Sequence, residues 1–498
     1  MPPTIISAGT ALLDTERPPQ RNVAVLVEGN QITAVGAPEA LQQGYPTAEQ
    51  VGGAQFILAP AMVNAHDHGR ALGSTALGVV DDLLEIWLPG LWGQPNLDPY
   101  LAAAYDGLRM LRAGVGTVAH SHNPRSWLTM AAEVEPTLRG YRDAGIRVAF
   151  HPPIIDQNPL VYADRDTFLA GMPPTIQEHA RQFLVDCPIS YAEYAALIDQ
   201  IFQQYHDPEQ HLVHIQLSPA GGQWCSDELI MHCVAQARRL GTRVQMHMLE
   251  TYYQMRYAHK RWGTTFIQHL DALGALGPWL TLAHMVWPDL DDLALLAERG
   301  VGIVHNPSSN LRLRSGIAPL PEIARSGVSL GIGLDGHGLD DDQDYLRELR
   351  LAWTIANRPG AEAPNMPARD IWHMATQGGA AITFGETVPL GKLAPGFLAD
   401  LVLYDLGATV YDERMEGEQL RSCLLRLLSR QHVQGVMING RWVVRAGRNV
   451  TLDEAALVAE LRAQIAAQPP AHERSIRYSA QAIAPYLRRF YQTWNEHP

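Results

Sequence analysis

The sequence predicts an α/β protein, a (β/α)8 TIM barrel carrying a small composite β-sandwich domain formed by both chain ends. Three observations predict it. Between Phe56 and Asp335, short apolar runs of strand length alternate with segments of helix-like composition. The runs are apolar on both faces, as parallel strands covered by helices must be. Strand-and-turn character then brackets that region on both sides.

Taken in order, residues 1–58 form the N-terminal part of the β domain, with TIISAGTALL followed by NVAVLVEGNQITAVG and its Gly-Asn turn. The barrel occupies 59–385, and its strands are FILAPAMV, VGTVAH, IRVAF, HLVHIQL, TRVQMH, LTLAH, VGIVH and VSLGIGLD. LAAAYDGLRMLRAG and DDLALLAERG are helices between them, the second ended by Gly300. The Pro-rich stretch from His151 to Pro174 is a long loop or insertion. Residues 386–450 return to strands in GKLAPGFLADLVLYDL and VQGVMINGRWVVRAGR, where Asn-Gly marks a hairpin. Residues 451–498 form a helical tail. Its aromatic, basic end, YLRRFYQTW, either docks on its own barrel or crosses to a partner subunit.

Composition narrows the function. The chain has 498 residues, 46% hydrophobic and 18% charged, too apolar for disorder. Fifty-two acidic against 38 basic residues give a formal charge of −14, which argues against a general nucleic-acid or anionic-membrane surface. Four cysteines without a CxxC make neither a disulfide framework nor a thiolate zinc site. No apolar run reaches the roughly 18 residues of a membrane helix, and the first residues lack a signal-peptide pattern. The expected location is cytoplasmic, and the expected partner is a small-molecule substrate. Twenty histidines are the unusual count.

Those histidines fall at strand ends. FILAPAMV runs into Asn64-Ala65-His66-Asp67-His68, TRVQM ends at His247, LTLA at His284 and VSLGIGL at Asp335. In a barrel the C-terminal strand ends converge on one axis, so these residues meet. Three imidazoles and a carboxylate suit a borderline divalent ion. The HxH pair alone says little: about one is expected by chance at this histidine content, and His120/His122 is a second. What carries the site is the placement of four metal-compatible residues on the correct strand ends. His122 reads either as pocket lining or as a structural residue.

Taken together, these motifs resemble the amidohydrolase superfamily, in its branch of cytosine and guanine deaminases, S-adenosylhomocysteine deaminases and triazine hydrolases. APAMVNAHDH is similar to that family's metal-binding first strand, HMLE to its HxxE on strand five, and AHMVW to its strand-six histidine. HNPSSNLRL and GLDG match strands seven and eight, and GKLAPGFLADLVLYD the re-entry into the β domain. The resemblance implies one divalent metal per subunit, zinc first and iron its rival, held by His66, His68, His247 and Asp335. HLVHIQLSP offers no lysine at the end of strand four for a carboxylated bridge, which favours a mononuclear site. It further implies that Glu250 shuttles the proton to the leaving nitrogen, that His284 hydrogen-bonds the attacking oxygen, and that Asp335 doubles as base. A homodimer or higher homo-oligomer is implied as well.

Substrate contacts are less sharply drawn. Arg70 follows the HxH, with a planar fork that reads a carbonyl or carboxylate, or else braces its loop. Trp87 and Trp92 lie in DDLLEIWLPGLW and Trp224 in GGQWCSDE, each an aromatic wall or plain packing. Asn306 ends strand seven. His337, two residues past Asp335, either touches substrate or braces the ligand. The expected function is metal-dependent hydrolysis of a C–N bond, with deamination of an amino-substituted N-heterocycle ahead of amide, urea or carbamate cleavage or dechlorination. The rival of another class, a metal-free interaction protein on this fold, predicts lost ligands.

Overall fold

The computed structural model describes residues 2–184, 189–362, 365–467 and 469–495. An eight-stranded sheet gathers both chain ends: Thr4–Ala11 lies between Gln20–Glu28 and Glu49–Pro60, and Glu49–Pro60 pairs antiparallel with Leu401–Asp405. Val433–Ile438 and Arg441–Arg445 complete that side as a hairpin. Asn439 and Gly440 at its turn have φ of +51° and +74°, the two positive angles that a type I′ turn demands. The sheet bends back on itself: Ile32 N donates to Phe397 O, and Gly396 N to Ile32 O, closing it over Ile6, Val25, Leu58, Leu401 and Met437.

The eight barrel strands are Met62–Asp67, Val115–Ser121, Arg147–His151, Val213–Ile215, Val244–Met248, Leu280–His284, Gly302–His305 and Ser329–Ile332. They form two four-stranded parallel sheets. These join between the fourth and fifth strands, where Gln245 N donates to Leu217 O. The eighth returns to the first through Asp335 N to His66 O and Leu334 N to the Asn64 side chain, both 2.9 Å. Asn64 thus stitches the barrel shut beside the HxH.

FILAPAMV divides. Residues as far as Pro60 belong to the composite sheet and Met62 onward to the barrel, with Ala61 N turned to Asp400 O between them. One apolar run serves two sheets because both are buried there. A second clasp binds the same two parts: Arg147, in the third barrel strand and fully buried, meets Asp400 through three contacts of 3.0–3.2 Å. The Pro-rich stretch is largely loop but holds the helix Arg165–Ala170 and, at Pro153–Ile154, a two-residue strand. Gly300, at φ +69°, ends the helix Leu290–Arg299.

The tail is two helices, Glu454–Ala466 and Ala471–Gln492. Leu457 and Leu461 of the first pack on Leu101 and Leu108. The second docks on its own barrel, against Leu84–Leu91 and Pro174–Arg181. Among the described residues Cys233 and Cys423 are free thiols, and Cys187 lies outside them. No helix of the described residues is long and apolar enough to cross a membrane.

Candidate metal centre

The strand ends do converge. One ligand atom each from His66, His68, His247 and Asp335 lies within 4.8 Å of the others. The imidazoles are oriented alike: each Nδ1 faces an oxygen acceptor, Gln245 Oε1 for His66 (2.7 Å), Ser121 O for His68 (2.8 Å) and Ala220 O for His247 (2.6 Å). Nδ1 therefore carries the hydrogen and every Nε2 turns inward with a free lone pair. Asp335 Oδ1 stands 3.0 Å from His66 Nε2 and 2.9 Å from His68 Nε2. Yet His66 Nε2 and Asp335 Oδ1 are both buried without a hydrogen bond of proper geometry. Buried lone pairs aimed at one point are what a shared cation requires, so the donor set fits a mononuclear divalent metal.

The electrostatics agree. Burial, with Arg70 close by, pushes the His68 imidazole down to about 4. Burial and the neighbouring histidines likewise hold His247 well below its ordinary value, which keeps both rings neutral, the ligating form. Burial works to raise Asp335, but the close approach of the His66 and His68 rings outweighs it and keeps the carboxyl well below the usual range. Ser309 Oγ donates to Asp335 Oδ2 at 2.5 Å, fixing the second oxygen. His284 and Asp335 hold φ of +81° and +58°, rare for non-glycine residues and clustered here at the site.

Glu250 and His284 stand beside the cluster. His284 Nε2 is 3.8 Å from Glu250 Oε2 and 4.0 Å from Asp335 Oδ2, leaving room for an oxygen among the three. At its other nitrogen, His284 Nδ1 meets Asn310 Oδ1 at 3.0 Å and Asn306 Nδ2 at 3.3 Å. The first stabilises the Nδ1–H tautomer and the second its opposite, so the asparagine pair lets Nε2 accept or donate. Burial raises the Glu250 carboxyl well above its ordinary value, with the Asp335 and Glu85 carboxyls adding to it.

The predicted substrate contacts divide. Arg70 reaches the centre: its Nη1 donates to Asp335 O at 3.3 Å and its guanidinium lies 5.1 Å over Trp87. Trp87 also packs edge-on to His337, whose Nε2 meets Asp81 Oδ1 at 3.0 Å. The Trp224 ring lies 6.3 Å from that of His247. Asn306 acts on His284, as above. His122 lies in a chain between His120 (3.2 Å) and Glu133 (3.3 Å). Trp92 is 42% exposed and stacks on Phe183, and no contact joins it to the cluster.

Sequence reasoning passed over Glu85, which sits in the segment read for its tryptophans. Glu85 is buried, and its Oε1 accepts from Thr251 Oγ1 (2.5 Å) and Tyr162 Oη (3.1 Å). Thr251 follows Glu250 directly and caps the helix Tyr252–Trp262, so this carboxyl braces the turn that carries Glu250. A glutamate inside an apolar, Trp-rich stretch was the available signal. Gln245, the acceptor for His66, was legible only as a polar residue within a barrel strand.

Comparison with known proteins bears on this arrangement. The family model described as "Amidohydrolase family" matches residues 57–443. An 8-oxoguanine deaminase of Pseudomonas aeruginosa is 30% identical over 89% of this chain and 94% of its own length. A 5'-deoxyadenosine deaminase of Methanothermobacter thermautotrophicus is 28% identical over 93% of this chain and 98% of its own. Among solved structures, an adenosine deaminase from Xanthomonas campestris with bound zinc superposes with a TM-score of 0.76. It is 26% identical and covers 93% of this chain and 97% of that one.

Proposed function

The chain belongs to the amidohydrolase family, a metal-dependent hydrolase of C–N bonds, and from that premise we propose that it deaminates an amino-substituted N-heterocycle, with amino-purines foremost. One observation carries the reading: Glu250 and His284 flank the His–His–His–Asp cluster at distances that leave space for one oxygen. Deamination by three relatives of similar length supports the leaving group, and the zinc of the Xanthomonas campestris enzyme supports zinc as the ion.

A divalent ion at this site supplies Lewis acidity that makes water nucleophilic near neutral pH. The residues do the rest. Attack on the carbon bearing the amine makes a tetrahedral centre, and its nitrogen leaves only when protonated. Glu250 takes the proton from the attacking water and passes it to that nitrogen. Its raised pKa makes it a carboxyl able to hold the proton between the two steps. His284 Nε2 hydrogen-bonds the incoming oxygen, and the opposed amides of Asn306 and Asn310 at Nδ1 let it accept or donate there. Asp335, locked by Ser309, serves as ligand and as a second proton acceptor. Arg70 and Trp87 form one wall at the ring and Trp224 another.

Cytoplasmic residence belongs to the same reading, as does a homodimer or higher homo-oligomer, which rests on the family resemblance. Incubation of zinc-loaded protein with aminated purines and pyrimidines, aryl ureas, carbamates and anilides tests the assignment. Ammonia with a keto-heterocycle supports it; an amine with a carboxylate or carbon dioxide moves the protein to amide, urea or carbamate cleavage.

A further inference from the structure

The helix Leu84–Leu91 brings Glu85 to the site, yet its own sequence does little to hold it there. It is eight residues long, LEIWLPGL, with Pro89 and Gly90 inside and no side chain bonded over its first turn. Isolated helices shorter than about 12–15 residues are marginal, and proline and glycine weaken them further. Its place is set by what packs on it.

The C-terminal helix Ala471–Gln492 grips it at both ends. At the start, Arg488 Nη2 lies 2.5 Å from Asp82 Oδ2, and Asp82 Oδ1 accepts from Leu83 N at 2.8 Å. Arg314 meets the same carboxylate at 3.3 Å. Past the other end, Arg477 donates to Gly93 O through Nη2 (3.0 Å) and Nε (3.3 Å). A cation there also complements the negative end of the helix dipole. A Cβ on Gly93 would stand 2.9 Å from Arg477 N and Cα, so only glycine admits this approach. About 16 Å of helix separates Arg477 from Arg488, enough to span the shorter helix at about 12 Å.

The same tail reaches the groups around the turn that carries Glu250. The rings of Tyr491 and Trp494 pack at 5.6 and 6.5 Å against Tyr162, whose hydroxyl donates to Glu85 Oε1. Tyr491 also lies 4.6 Å from Tyr253, in the first turn of the helix that Thr251 caps. Thr251 Oγ1 in turn donates to Glu85 Oε1, which joins the tail to the residue after Glu250. The whole of this tail lies beyond the residues that the family model matches.

We propose that the C-terminal helix is a positioning element of the active site: Arg477 and Arg488 seat the Glu85 helix, and Glu85 holds Thr251 and so fixes Glu250. The inference rests on the reading of Glu250 as proton shuttle. A proton donor displaced by about 1 Å loses up to about 10²-fold in rate. None of these tail residues touches the metal cluster, so substrate affinity and metal content are left in place.

The test compares Arg477→Met/Arg488→Met, Glu85→Leu and their combination in the zinc-loaded full chain, each verified as folded by circular dichroism. The arginine pair keeps its apolar stems on the helix and loses both grips. Both changes are expected to lower kcat by about tenfold or more on the substrate turned over, with KM and zinc content within about twofold. The combination is expected to lose no more than Glu85→Leu alone, because both act on Glu250 through one path. Arg477→Lys/Arg488→Lys restores a cation at each end and should recover kcat. Hydrogen exchange of the peptide 248–254 gives a readout without catalysis, and it should quicken in the arginine pair. Unchanged exchange there, an unchanged kcat, a rise in KM in its stead, or losses that multiply in the combination would overturn the proposal. Quickened exchange without ammonia release from any aminated ring contradicts deamination and supports the hold of the tail on the turn.

Discussion

Replacing Gln245 by leucine should loosen the metal without touching a ligand. Gln245 Oε1 is the acceptor 2.7 Å from His66 Nδ1, and its Nε2 is tethered 2.9 Å away to Ala65 O, so the amide is pinned at both ends. The other two histidines lean on backbone carbonyls, which substitution leaves in place. In Gln245→Leu the His66 ring loses the bond that fixes its tautomer and rotation, and Nε2 is presented to the ion for only part of the time. Loss of such an outer hydrogen bond costs about 10–100-fold in metal affinity, or roughly 1.4–2.7 kcal/mol. Gln245→Glu keeps an acceptor at the same place and should retain tight binding. The assay is competition for zinc against a chromophoric chelator, with circular dichroism to verify that each variant is folded. A folded Gln245→Leu whose affinity lies within threefold of the wild type would refute the claim that this amide orients His66.

Four further outcomes follow from the geometry. Glu250→Gln should keep the metal but lower kcat by about 10²–10⁴-fold, measured by ammonia release beside metal analysis. Arg147→Met strands the buried Asp400 carboxylate and should cost about 3–5 kcal/mol in urea unfolding, while Arg147→Met/Asp400→Leu should recover most of it. Burial pushes Glu348 up to about 7 from an ordinary 4.5. Its contribution to stability is therefore full below about pH 4.5 and lost as pH rises through about 7, some 3 kcal/mol in all. Urea midpoints of metal-free protein at pH 5 and 8 should differ more for the wild type than for Glu348→Gln. Deleting residues from 471 onward should lower the melting temperature but leave the solution mass per assembly otherwise unchanged, because Ala471–Gln492 docks within its own chain; a changed oligomeric state by light scattering would contradict this.

What was legible in the sequence is what a strand end makes periodic. Four of the eight barrel runs led into residues that the barrel brings inward, so His66, His68, His247, His284 and Asp335 could be placed together from their positions at strand ends. Asn-Gly marked its hairpin and Gly300 its helix end, because a positive φ restricts the residue type. The division of FILAPAMV escaped notice because burial on both faces gives one apolar string in either sheet. The groups that orient ligands were silent for another reason. Gln245, Asn310 and Thr251 act through single hydrogen bonds to residues brought near only by the fold, and no local pattern records such a partner. Glu85 was visible as a charge in an apolar stretch, but its bonds to Thr251 and Tyr162 span 166 and 77 residues. The tail left two destinations open, since an amphipathic aromatic helix carries no mark of whose barrel it covers.

The central claim is that a metal held by His66, His68, His247 and Asp335 acts with Glu250 to hydrolyse a C–N bond of an amino-heterocycle. Product analysis with metal analysis on the same preparations tests it most directly. The account predicts about one equivalent of zinc per chain in both wild type and Glu250→Gln, with ammonia and a keto-heterocycle formed by the wild type and nearly abolished in the variant. Undiminished ammonia release by a zinc-replete Glu250→Gln, or a wild type that retains no divalent metal, would contradict it.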